Sequence, residues 1–301
     1  MRISTAFSFQ MNTTALQSRM ADLNQVTQQI AVGRRIVTPA DDPMGAAQAL
    51  QIAQELAKSK NYTENINAAK TVINRESTTL DAIRTVLASA RDTALGAGNS
   101  PSIKERASFA NYLQQIYQDL LGYANSTDSN NNYMFSGSKG ATKPFQQATG
   151  ASNYQGDSLQ QSITISNSRQ IPISDSGQSV FGPGTANDPF KVIDQFITDL
   201  QNGALTGAAF DTAVSTALTG LTNALDNVEN IQDQVAVRFQ ELGDAQAAQI
   251  NFTTQFQNEL DRVESLDLQK AALQVQLQQV SLQALQQTVA SVGRLSLFNF
   301  L

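Results

Sequence analysis

The carboxyl-terminal stretch of the chain, residues 271–293, alternates apolar residues with glutamines and contains no charged side chain. Two apolar rows follow helical spacing along it. The first row, spaced by four and three residues, consists of Leu273, Leu277, Val280 and Ala284. The second row, spaced by seven residues, consists of Leu268, Val275, Leu282 and Val289. Because the rows are two positions out of phase, roughly 200° around a helix, this helix is apolar on opposite sides. One face can pack on its own chain, and the other indicates an assembly.

The amino-terminal stretch has a matching pattern, because residues 3–18 are also uncharged and apolar residues recur every seven positions. The repeat consists of Phe9, Leu16, Leu23 and Ile30, with Met20 and Thr27 at the half-heptad positions. Such a repeat is typical of a coiled-coil seam. We therefore predict that the first helix pairs with a helix over residues 261–293, which would be about 50 Å long. An ordinary long helical hairpin is the alternative that the pattern leaves open.

Capping residues and a segment rich in glycine mark where helices end and begin between the two terminal stretches. The first helix is predicted to stop near Gly33, and Asp42 followed by Pro43 is typical of an N-cap and a first helical residue. Residues 96–101 form a strong break before the next helix. A paired-carboxylate site is the functional interpretation of Asp41 and Asp42. We favour a helix cap and turn, because no other clustered acid and no histidine lies nearby to complete a site.

Helical periodicity ends near Asn125, after which serine, asparagine, glycine and glutamine dominate. Residues 162–166 alternate with a period of two, which predicts a small β-rich insert. Helix returns at Asp188 and Pro189 and continues toward the terminal segment. The predicted fold class is mainly α, with long coiled-coil-like helices that pair the two termini, a helical bundle core and a β-rich subdomain inserted mid-chain. The predicted domains are a terminal assembly domain of residues 1–42 with 261–301, a helical core of residues 43–135 with 188–260, and an insert of residues 136–187.

The composition excludes several classes of function. Only 15% of the residues are charged and the net charge is −6, which argues against nucleic-acid binding and leaves few charges to oppose self-association. The chain has no cysteine and no histidine, so zinc sites and catalysis that depend on these residues are excluded. The glutamines of the terminal stretch argue against a membrane span. We predict no enzyme activity, no catalytic residue, no metal and no cofactor, and we expect no cleaved secretory signal.

Several separate stretches of the chain resemble the flagellin superfamily; the resemblance extends over the whole chain and is most specific at residues 1–145 and 260–301. They are residues 1–5, 33–36, 39–43, 65–66, 124–128, 133–137, 143–145, 267–273 and 281–285. Asn132 and Ala236 depart from the resemblance, because the family often has glycine at each position. These departures concern local backbone geometry and do not touch the termini.

The resemblance implies a structural role in the bacterial flagellum. It implies a protein that is exported unfolded through the flagellar type III channel and forms a ring at the junction between hook and filament. The implied partners are further copies of the chain, the first hook–filament junction protein, flagellin, and a cytoplasmic export chaperone that covers the C-terminal helix. The expected location is the extracellular flagellum.

Two other functions remain open at this point. The first is the major flagellin of the filament, which shares the terminal heptads. The second is a cytoplasmic signalling bundle with glutamine-rich heptads, which would not explain the β-rich insert.

We expect assembly to depend on the apolar positions of the two terminal helices. These positions are Phe9, Leu16, Met20, Leu23, Ile30, Leu268, Leu273, Val275, Leu277, Val280, Leu282, Leu285 and Val289. Within this set we expect the seven-residue rows to stabilise the assembly rather than the monomer. On that hypothesis, Leu282→Asp leaves the thermal melt of the monomer nearly unchanged and blocks incorporation.

Overall fold

The computed structural model describes residues 2–99, 102–128, 131–146 and 153–298. Met1, the predicted break at Ser100 and Pro101, residues 147–152 of the predicted insert and residues 299–301 lie outside these ranges. The helices are α1 (Arg2–Val32), α2 (Pro43–Ala97), α3 (Ile103–Ala124), α4 (Gly177–Phe181), α5 (Pro189–Gln201), α6 (Ala208–Glu264) and α7 (Leu268–Phe298). The strands are β1 (Phe145–Gln146), β2 (Asn153–Tyr154), β3 (Ser162–Ser166) and β4 (Arg169–Pro172). The predicted fold class, mainly α with a small β-rich insert, is confirmed.

Short polar residues begin the helices where the sequence places them. The Ser102 hydroxyl accepts from the backbone N–H of Glu105, whose carboxylate accepts from the Ser102 N–H in return, and the two bonds form a capping box. Asp188 accepts from the backbone N–H groups of Phe190 and Lys191 at 3.0 and 3.2 Å. These bonds satisfy N–H groups that have no acceptor inside their own helix.

The terminal helix begins later than the sequence analysis predicts. The predicted helix start at Asp261 is wrong, because α6 continues to Glu264 and a short non-helical segment precedes α7. The physical reason is Asp267, whose carboxylate accepts from the Lys270 N–H at 3.0 Å and caps the new helix. The position of α7 is therefore set by a capping residue that lies inside an otherwise apolar pattern.

The chain forms two compact units, residues 1–58 with 251–301 and residues 59–250. The first unit contains α1, α7, the start of α2 and the end of α6. The second contains the rest of α2 and α6, together with α3, α4, α5 and all four strands. The three-part division predicted from the sequence remains a prediction.

The second unit has one continuous apolar core, with fully buried side chains from its long helices and from the strands. Phe145 of β1 lies at its centre and joins the insert to the bundle. Its ring centroid is 4.9 Å from that of Phe181, 5.2 Å from that of Phe190 and 5.0 Å from that of Tyr154. Clustered aromatic rings bury large apolar areas and add edge and stacking interactions. The insert is thus part of the core of this unit.

The strands pair in two short antiparallel sheets, β1 with β2 and β3 with β4. In the second sheet Ile163 pairs with Ile171, and both Ile165 and Ile171 are buried. Side chains of the long helices donate to strand carbonyls: Asn65 to Thr164 at 2.8 Å and Gln249 to Ile165 at 3.2 Å. The hairpin therefore lies against α2 and α6.

We expect Phe145→Ala to lower the free energy of unfolding by about 3–5 kcal/mol, because it leaves a cavity among buried aromatic rings. Urea denaturation followed by far-ultraviolet circular dichroism measures the change. As a control, Leu159→Ala removes an exposed apolar side chain of the same insert and should change the value by less than about 0.5 kcal/mol. Equal effects of the two substitutions would contradict a core that includes the insert.

Candidate assembly surface of the terminal helices

Helices α1 and α7 pack against each other within the first unit. Apart from Ser281, the buried and half-buried positions of α7 alternate at spacings of four and three residues, which is the spacing of a coiled-coil seam. On α7 these positions are Ala271, Val275, Gln278, Leu282, Leu285 and Val289. On α1 the corresponding apolar positions are Leu16, Leu23, Val26 and Ile30. We call these ten residues the internal seam.

A second set of predicted residues lies on the surface. Leu273, Leu277 and Val280 are 57%, 63% and 65% exposed, and Ala284 continues their row in the exposed class. We call these four residues the outer row. Met20 and Leu268, which were also predicted to carry assembly, are exposed as well. The predicted site residues are therefore divided between an internal seam and an exposed surface.

The division bears on the expected roles of the two rows. The hypothesis assigned assembly to the seven-residue row of Leu268, Val275, Leu282 and Val289. Leu268 is exposed and the other three are half-buried on a helix that packs against α1, and the part of this row in assembly stays a prediction. Helical spacing shows that the two rows lie on opposite faces of α7, but it does not show which row faces α1. That depends on the side of α7 against which α1 packs. Phe9 lies in α1, and its side chain falls outside the part of the chain whose side chains are described.

Three further residues belong to these surfaces but were missed. Val26 and Ala271 are buried in the internal seam, and both lie at the four-and-three spacing that extends the predicted rows. Gln278 occupies a seam position, and its Oε1 atom has no hydrogen-bond partner among the described residues. A polar residue in a coiled-coil seam lowers stability while favouring one register. A strict search at that spacing would have added these three residues to the predicted rows, without showing which row is internal.

The segment between α1 and α2 binds the end of α6 inside the same unit. Gly33 ends α1 with φ of +74°, a conformation that favours glycine. The backbone N–H of Arg35 donates to the Glu264 carbonyl at 2.7 Å, and the Arg34 guanidinium lies 3.2 Å from the Glu264 carboxylate. The Arg35 guanidinium also contacts the Asp42 carboxylate at 3.0 Å. These contacts fix where α1 ends and α2 begins.

The two adjacent aspartates of this segment act through the backbone. Asp41 accepts from the N–H groups of Thr38 and Val37, and these bonds lower the pKa of its carboxyl below the ordinary value. Asp42 accepts from the Gly45 N–H at 2.9 Å, and this bond, followed by Arg35, lowers the pKa of Asp42. Both carboxyls are thus ionised acceptors, which is the geometry of a turn and a helix N-cap rather than of an acid–base pair.

No cluster of acidic residues suited to a metal ion occurs among the described residues. The described helices also include none with the length and apolar character needed to span a membrane. The chemistry of this region is therefore that of apolar surfaces and helix ends.

Comparison with known proteins assigns a class to this arrangement. Residues 3–140 match the family of the bacterial flagellin N-terminal helical region. The amino-terminal part of the chain is therefore similar to bacterial flagellin, and the resemblance expected from the sequence is confirmed.

Individual relatives point to one kind of flagellin-like protein. The chain is 27% identical to flagellar hook-associated protein 3 of Salmonella typhimurium over 315 aligned positions, which cover 99% of both proteins. Its fold is also that of two crystal structures from Legionella pneumophila. The flagellar hook associated protein-3 superposes with a TM-score of 0.66 at 19% identity, over 71% of this chain and 98% of that one. The flagellar junction protein superposes with a TM-score of 0.60 at 19% identity, over 72% and 99%.

An aspartate introduced into the internal seam should affect the monomer differently from an aspartate introduced into the outer row. Leu277→Asp should leave amide hydrogen exchange of α1 and α7 in the monomer nearly unchanged, because the side chain is exposed already. Leu282→Asp should accelerate exchange in both helices, because it places a carboxylate in the internal seam. Exchange of the purified monomer, measured by mass spectrometry, distinguishes the two. Faster exchange in Leu277→Asp than in Leu282→Asp would contradict the assignment of the rows.

Proposed function

We propose that this chain is a structural protein of the bacterial flagellum that forms the junction between hook and filament. The observation that carries the proposal is the combination of an end-to-end relationship to a flagellar hook-associated protein 3 with an exposed apolar row on α7. A full-length match places both terminal helices in the comparison, and these helices carry the surfaces that are available for assembly.

The outer row is suited to contact another helix. Leu273, Leu277 and Val280 expose most of their apolar surface, and burial of such a side chain stabilises an interface by about 1.5–3 kcal/mol. Residues 271–293 carry no charge, so no ionic group has to be removed from water when a neighbour packs there. We infer that the neighbour in the assembled state is a terminal helix of another copy of this chain or of a related flagellar protein.

The remaining partners follow from the same proposal. Copies of the chain would form a ring, with the first hook–filament junction protein on one side and flagellin on the other. Before assembly, a cytoplasmic export chaperone would cover the C-terminal helix, and the protein would reach the outside of the cell without a cleaved signal peptide. The role is structural and non-enzymatic, in keeping with the flagellar hook-associated relatives.

Genetic replacement tests the proposal in a motile bacterium whose own copy of the gene is deleted. The wild-type chain should restore filaments, while Leu277→Asp should be exported but leave hooks without filaments and release flagellin into the medium. A matched control, Gln279→Asp, adds the same charge to the same helix at an exposed position outside the outer row. It should restore filaments.

Two outcomes would favour the other functions. Growth of long filaments from the purified protein alone would identify a major flagellin instead. Retention of the wild-type protein in the cytoplasm of the complemented strain would favour a signalling bundle. Normal filaments with Leu277→Asp would contradict the role given to the outer row.

A further inference from the structure

Three ionisable side chains are buried together in the second unit, where the β-rich insert meets the long helices. Glu76 comes from α2, Asp175 from the segment between β4 and α4, and Arg238 from α6. Glu76 and Asp175 are each 1% exposed and Arg238 is 8% exposed. Buried charges are costly unless they are paired and hydrogen-bonded, so this cluster has to satisfy its own members.

The hydrogen bonds within the cluster are centred on Asp175. Its carboxylate pairs with the Arg238 guanidinium and accepts from the Gln160 amide at 2.7 Å. The backbone N–H of Asp175 donates to Oε1 of Glu76 at 2.8 Å. Arg238 also donates to the backbone carbonyl of Pro172 at 3.4 Å, and Pro172 is the last β4 residue that pairs with β3. The cluster therefore joins the end of the hairpin to both α2 and α6.

Glu76 differs from its neighbours because half of its carboxyl group is unpaired. Its Oε2 atom is buried and has no hydrogen-bond partner among the described residues. The Arg238 guanidinium forms its ion pair with Asp175, and Glu76 has no ion pair among the described residues. Burial, followed by the charge of Asp175, raises the pKa of Glu76 to about 8, while the Asp175 N–H and the Arg238 charge act in the opposite direction. At neutral pH Glu76 keeps its proton.

We propose that this cluster is a proton-dependent latch, which holds the end of the β3–β4 hairpin on α2 and α6 while Glu76 is protonated and loosens it when Glu76 ionises. Ionisation places a second buried negative charge beside Asp175. The two carboxylates then repel each other and compete for Arg238. The segment that carries Asp175 is the member of the cluster that can move, because Glu76 and Arg238 are held within long helices.

The direction of the pH effect follows from the sign of the shift. A carboxyl group whose pKa is raised on folding contributes stability that is fully present below its ordinary value of 4.5 and is lost as the pH rises through about 8. The latch is therefore closed in acid and at neutral pH and opens in alkali.

The other contacts of the hairpin predict where it opens. The β3 carbonyls are held by the neutral amides of Asn65 and Gln249, which do not titrate in this range. The exposed ion pair of Arg169 with Glu241, 2.9 Å apart, lies at the start of β4. Loosening should therefore concentrate after β4, at residues 173–177, and should spare residues 163–166.

Amide hydrogen exchange of the full chain at pH 6 and pH 9, corrected for the intrinsic effect of pH on exchange, tests the latch. In the wild type, protection at residues 173–177 should fall by about tenfold or more between the two values, because Glu76 ionises within this interval. Glu76→Gln cannot ionise and retains an acceptor for the Asp175 N–H, so its protection should stay constant. As a control, Glu241→Gln removes the carboxylate of α6 that pairs with Arg169 of the same hairpin, and it should behave as the wild type.

Constant protection in the wild type, or an undiminished fall in Glu76→Gln, would overturn the proposal. If Glu76→Gln fails to fold, carbon-13 nuclear magnetic resonance of the wild-type side chain gives the answer directly. A Glu76 carboxyl that titrates above pH 7 together with the signals of residues 173–177 supports the latch. Titration near the ordinary glutamate value contradicts it.

Discussion

The pairing of α1 with α7 is the interaction on which the terminal unit depends. Each of these helices has few charged residues and exposes apolar side chains beyond those of the internal seam. The internal seam uses one set of these positions within the chain. The outer row stays exposed as a consequence of this pairing, because a helix with two apolar faces can bury only one of them against a single partner helix.

The two units differ in how completely they bury their apolar side chains. In the second unit, aromatic rings around Phe145 and buried rows from the helices form one continuous core, and the insert contributes to it. In the first unit, most seam positions are only half-buried. On the proposed function, neighbours in the flagellum would complete the burial of the first unit, and ordering of the termini would be coupled to assembly.

Much of the fold could be predicted from the sequence because its signals are local. Asp42 with Pro43, Ser102 with Glu105, and Asp188 with Pro189 announce helix starts through side-chain-to-backbone bonds that span only a few residues. Non-local features were not accessible in the same way. The choice between the two rows of α7 depends on the phase of α1, and the latch joins Asp175 to residues 99 and 63 positions away. The break before α7 was hidden because Asp267 lies between apolar rows.

Cysteine labelling tests the central claim most directly, because the chain contains no cysteine and a single engineered one is unique. Leu277→Cys should react with a maleimide in the free monomer and be protected in isolated flagella, since a neighbouring helix covers the outer row. Leu159→Cys, at an exposed position of the insert, serves as the reference for accessibility in the monomer. Equal labelling of Leu277→Cys in the monomer and in flagella would show that the outer row stays in solvent, and the account would be wrong.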